Sequence, residues 1–163
     1  MAYQALPYID HAFLATVTNT FILRPPMEIL SSIYRQNITV SEEELGFTAL
    51  EKIFSIVTKE LEQTPIVIDA IQFRQNPQAT LEQYCQRIHI SFMPEMLVWE
   101  TGQMKAWQSH EIEFQAKWHQ TLENSTTILP PRVVTKDIIV RPEDREMLER
   151  ANNIYKQLSA VAL

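Results

Sequence analysis

Apolar positions along the chain recur at two spacings, one helical and one extended. Ile29, Leu30, Ile33 and Tyr34 follow Arg24-Pro25-Pro26 at helical intervals. Proline suits that start, because its missing N–H would have no partner in a first helical turn. Farther on, Ser41 and Glu44 stand three apart as a capping box, in which each side chain satisfies a backbone N–H left free at a helix start. Leu50, Phe54, Val57 and Leu61 then share one face as far as the break at Pro65. These two helices predict an N-terminal αα-hairpin. Asn76-Pro77 opens a third helix with an apolar stripe of Leu81, Tyr84, Cys85, Ile88 and Phe92, closed by Pro94. Arg141-Pro142-Glu143-Asp144 opens the last helix, whose buried face is Leu148, Ala151, Ile154, Tyr155 and Leu158.

Other segments read as strands. Residues 12–23 are rich in β-branched and aromatic types and read as a strand, with a buried helix as the alternative. Residues 66–73 are short, apolar and β-branched, and residues 133–140 have the same character. Thr101-Gly102 between residues 96–100 and 103–107 predicts a β-hairpin. Ile112, Phe114, Ala116 and Trp118 alternate with polar residues, a strand period; Trp107, Phe114, Trp118 and Leu122 equally fit one helical face. The resulting expectation is one α+β domain over residues 1–163, with the αα-hairpin, a mainly antiparallel sheet of about four or five strands and a final helix. A mostly α bundle is the alternative.

Composition narrows the function classes. Two glycines against nine prolines leave Gly46 and Gly102 isolated, so no glycine-rich phosphate loop of the usual kind can be assembled. A formal charge of −6, with acids interleaved among Arg132, Lys136, Arg141, Arg145 and Arg150, argues against nucleic acid as a partner. Cys85 is the single cysteine, which excludes an intrachain disulfide. No lysine or arginine precedes Arg24, and residues 12–23 are too short and too polar to cross a bilayer. A cytoplasmic protein without membrane insertion is therefore expected.

Candidate chemistry is sparse. Glu82, Cys85 and His89 fall on one helical flank, where an imidazole could activate a thiol or the trio could offer metal ligands. Core packing of Cys85 accounts for the same spacing. His110, Glu111, Glu113 and His119 are spaced too widely for the two-histidine zinc motif. Glu42, Glu43 and Glu44 are explained by their place at a helix start. What stands out is the cluster of Trp99, Trp107 and Trp118 with Met96 and Met104, a composition typical of protein interfaces. The sequence reading is thus a non-catalytic protein-binding module (an adaptor, assembly factor or regulatory subunit) without cofactor or metal. Trp99, Met104, Trp107 and Trp118 would contact another protein or a second copy. The alternative is a small enzyme or a ligand- or metal-binding domain using Cys85 with His89, or His110 with His119.

Overall fold

The computed structural model describes residues 2–36, 38–102, 119–131 and 138–163. Their contacts gather into two units, Met1–Phe73 with Arg132–Leu163, and Arg74–Pro131.

In the first unit, two short helices, α1 (Ala2–Ala5) and α2 (His11–Thr16), lead into strand β1 (Thr20–Leu23). Asp10 caps α2 by accepting from the Phe13 N–H at 2.6 Å. The stretch read as one strand or one buried helix is therefore divided between the two. Asn19 marks the change: its side-chain amide donates to Leu14 O at 2.9 Å and to Gln63 at 2.9 Å. After Arg24-Pro25, helix α3 runs over Pro26–Tyr34. The capping box closes as expected, with Ser41 N–H on Glu44 at 2.9 Å and Glu44 N–H on Ser41 Oγ at 3.2 Å. It opens only the single turn α4 (Glu42–Leu45), because Gly46 takes φ +85° and redirects the chain into α5 (Phe47–Ser55). A residue without Cβ adopts that left-handed geometry at little cost. One wider helical turn, Ile56–Glu60, then leads toward strand β2 (Ile66–Asp69).

β1 and β2 pair in parallel, from Thr20 opposite Ile66 to Leu23 opposite Asp69. Parallel neighbours need a long crossover, and α3 to α5 supply it. Every residue of β2 is buried, which explains its nearly unbroken apolar run. In β1, Phe21 and Leu23 face the core whereas Ile22 is 64% exposed. The antiparallel sheet expected from the sequence is not what forms. Of the described residues 58% are helical, and the one described sheet has two parallel strands, so the mostly helical alternative fits better. Of residues 66–73 only the first four are extended, since Asp69 accepts from the Ile71 and Gln72 N–H groups at 2.8 and 3.0 Å and starts helix α6 (Ala70–Gln75). Among residues 133–140, those described (138–140) are not strand; the remainder lie outside the described residues.

The last helix, α8 (Arg145–Ser159), buries Leu148, Ala151, Ile154 and Leu158, as its periodicity predicts. Ala151, Ile154 and Leu158 join Leu14, Phe21, Leu23, Phe47, Val57 and Val67 in one core cluster. Phe21 and Phe54 meet edge to face at 5.5 Å. Two phenol–carboxylate hydrogen bonds fasten this helix and its lead-in to the rest of the unit. Tyr155 donates to Asp69, and Tyr34 donates to Asp144 while accepting from the Arg141 N–H at 3.2 Å. The Arg141 guanidinium also lies over the Tyr34 ring, 4.5 Å from its centre.

In the second unit, helix α7 (Pro77–Arg87) packs against a tight turn, Pro94–Leu97. Val98 forms an antiparallel bridge with Thr127, and the Trp99 and Gly102 N–H groups donate to Thr126 and Glu123 at 3.0 and 2.9 Å. Residues 98–102 are thus joined to residues 123–127. The other half of the expected hairpin, 103–107, lies outside the described residues, as does the alternating stretch 112–118. Residues 119–123 are helical.

Leu23 has no exposed surface. Leu23→Ala is accordingly expected to cost about 2–5 kcal/mol, read from denaturant unfolding. Burial and the adjoining carboxylates raise both phenol pKa values above the ordinary range: burial first and Asp69 next for Tyr155, burial first and Asp144 next for Tyr34. These phenols stay protonated in the fold after those of the unfolded chain have begun to ionise, so the unfolded state binds fewer protons. Their contribution is complete below the ordinary phenol pKa of about 10 and is lost as pH rises toward the folded values. Thermal unfolding should therefore fall more steeply above that pH in the wild type than in Tyr155→Phe.

Candidate functional site

A parallel pair brings both carboxyl ends to the same edge, and in sheets of this kind ligands bind beyond those ends. Here the edge carries Arg24 after β1 and Asp69 at the end of β2, with the first turns of α3 and α6 following directly. Glu28, in the first turn of α3, is buried. Its carboxylate accepts from Arg24 Nε at 3.2 Å, and its main-chain oxygen accepts from Arg24 Nη2 at 3.4 Å. The Arg24 side chain remains 45% exposed. At the end of β2, opposite Leu23, Asp69 is buried and receives three hydrogen bonds, from Ile71, Gln72 and Tyr155. The charge of Glu28 also reaches the Tyr155 phenol and helps to raise its pKa.

The edge therefore joins one accessible guanidinium to two buried carboxylates that are already committed. Asp69 is engaged by a helix start and a phenol, which holds the end of β2. Glu28 is engaged by Arg24, which holds the end of β1. A half-exposed arginine with free N–H groups can still receive an oxyanion, since five donors in a planar fork exceed the two used internally. Sequence reasoning missed Arg24, Glu28 and Asp69. Arg24 read as part of a helix-starting break and Asp69 as one position of a strand. Parallel pairing is what juxtaposes them, across more than forty intervening residues.

The residues singled out in the sequence fall elsewhere. Cys85 is buried in α7, with its thiol 3.9 Å from the Met96 sulfur. His89 is exposed and takes φ +60° immediately past α7. The Ile90 N–H donates to Cys85 O at 3.0 Å and the His89 N–H to Gln86 O at 3.3 Å. That is the paired closure of a helix C-terminus, with histidine in the place glycine usually takes. His89 is thus used through its backbone, and the structure does not unite it with Cys85 as a nucleophile and base. His119 is half-buried at the start of the helical residues 119–123, while His110 lies outside the described residues. Among the described residues, no group of three His, Cys, Asp or Glu side chains is placed to hold a metal ion. Trp99 is half-buried and its indole N–H donates to Leu122 O at 3.3 Å. Met104, Trp107 and Trp118 lie outside the described residues. On α8 an open groove of about 320 Å³ is lined by Arg145, Asn152, Asn153 and Lys156 among others. Among the described residues, no helix is long and apolar enough to cross a membrane. If His89 acts as a helix terminator, His89→Gly should hold or raise the thermal midpoint, because it relieves a left-handed strain of about 1–2 kcal/mol. A drop in the midpoint would contradict that role.

Comparison with known proteins changes the functional reading. The sulfotransferase-domain family model matches residues 1–162. "Branched-chain-amino-acid aminotransferase-like protein 2" of Arabidopsis thaliana is 31% identical over 111 residues, which cover 68% of this chain and 19% of that protein. "Branched-chain-amino-acid aminotransferase-like protein 1" of the same plant is 27% identical over 137 residues, 84% of this chain and 23% of that protein. The chain therefore spans about a fifth of the length of these curated relatives. No solved structure matches. The match across nearly the whole chain overturns the non-catalytic adaptor, assembly-factor or regulatory-subunit reading, and favours the enzyme class kept as its alternative. The tryptophan cluster carried that reading, and composition alone does not separate an interface from a core. The chain belongs to the sulfotransferase-domain family.

Proposed function

We propose that this chain takes part in sulfuryl transfer by holding an oxyanion of the donor at the carboxyl end of β1. The observation that carries this reading is Arg24, accessible at the edge of a parallel pair in a chain that belongs to the sulfotransferase-domain family. In such a reaction an acceptor oxygen forms a bond to sulfur while the bond from sulfur to the donor oxygen breaks. The acceptor loses its proton and the donor leaves as an anion. Donor, transferred group and leaving group are all anionic, so a fixed cation at the reacting end lowers the cost of bringing them together. A planar guanidinium suits tetrahedral oxyanions better than an ammonium does, because it offers two parallel N–H bonds.

The rest of the arrangement supports that role. Glu28 and the α3 start fix Arg24, while Asp69 and Tyr155 fix the neighbouring strand end. Isolated glycines exclude a glycine-rich phosphate loop of the usual kind, and the reading assigns the anion to the Arg24 side chain.

The test is equilibrium binding of a radiosulfur-labelled phosphosulfate anhydride. Arg24→Ala should weaken it about ten- to a hundredfold, the loss of one charge-assisted interaction, and Arg24→Lys should recover only part. The exposed Arg87→Ala serves as a control and should leave binding unchanged. Equal affinity in Arg24→Ala and wild type would remove the basis of the reading.

A further inference from the structure

We propose that Glu28 is a positioning residue that turns one edge of the Arg24 guanidinium toward the oxyanion. This rests on the anion reading of Arg24 above. A guanidinium can present a side-on edge, made by Nε–H and one Nη2–H, or an end-on edge, made by Nη1 and the second Nη2–H. Glu28 closes the first edge by itself. Its carboxylate takes Nε at 3.2 Å and its own carbonyl takes Nη2 at 3.4 Å. The three remaining N–H groups include the whole end-on fork, on a side chain that is 45% exposed.

The acceptor is well held. Glu28 lies one turn beyond Arg24, so the pair is joined through the helix start as well as through its hydrogen bonds. Its side chain is only 9% exposed, so the carboxylate cannot swing freely into solvent. A surface ion pair holds its partners loosely, but a buried carboxylate with a fixed backbone does not. The same carboxylate offsets the charge of Arg24. Recognition at this edge therefore depends on the direction of the N–H groups more than on net charge, which favours a tetrahedral oxyanion over a spherical anion.

Charge and direction separate in two variants. Glu28→Gln keeps an oxygen that accepts from Nε but removes the negative charge; Glu28→Ala removes both. Inorganic sulfate and chloride are the probes, titrated at constant ionic strength and followed through the Arg24 Nε–H resonance. Glu28→Gln should bind sulfate at least as tightly as wild type and keep its preference for sulfate over chloride. Glu28→Ala should bind sulfate about tenfold more weakly than Glu28→Gln, equal to one lost interaction of about 1.4 kcal/mol, and lose the preference. Glu28→Ala matching or exceeding Glu28→Gln in both respects would overturn the proposal, as would wild-type protein that does not bind sulfate. Arg24→Ala, followed by calorimetry, separates the two layers: if it binds sulfate like wild type, the anion reading itself fails, whatever the Glu28 variants do.

Discussion

The parallel pairing of β1 with β2 is the constraint on which the rest depends. Antiparallel neighbours would place Leu23 and Asp69 at opposite ends of the sheet. Parallel ones set them opposite each other, so that Arg24 and Asp69 share an edge. Such a pair requires a crossover and burial, and the chain provides both. Helices α3 to α5 make the connection, and α8 packs against the strands with Ala151, Ile154 and Leu158 in the core. Removing apolar surface from water stabilises this arrangement, and the Tyr155–Asp69 and Tyr34–Asp144 bonds fix where α8 and its lead-in sit.

The helices were legible in the sequence wherever a local signal specified them. Ser41 and Glu44 close their capping box, Pro26 and Pro77 occupy first turns, and the face of α8 is the one its spacing predicts. Strands were harder. A parallel strand buried on both faces shows no alternation, and residues 66–69 differ little from a short buried helix. Nothing local reveals that residues 20–23 pair with residues 66–69, because the pairing is decided by packing of the intervening helices. The antiparallel sheet was inferred from alternation and from Gly102, and local pattern cannot report a partner far along the chain. Residues 98–102 illustrate this, since their described long-range hydrogen bonds run to residues 122–127.

The site was illegible for the same reason. Histidine, cysteine and tryptophan attract attention because their chemistry is distinctive, yet Cys85 is packed beside Met96 and His89 closes a helix. Arg24, Glu28 and Asp69 are common residue types whose significance is positional. Family membership is what motivates the proposed reaction class, and the fold offers the edge at which the proposal places its anionic group. A chain spanning about a fifth of its curated relatives carries this edge and its supports.

Mapping a phosphosulfate donor onto the assigned backbone amide spectrum tests the central claim most directly. The account predicts the largest shifts at residues 24–28 and 69–72, where the two strands end. Shifts confined to the groove around Arg145 and Lys156, or to residues 85–89, would contradict it.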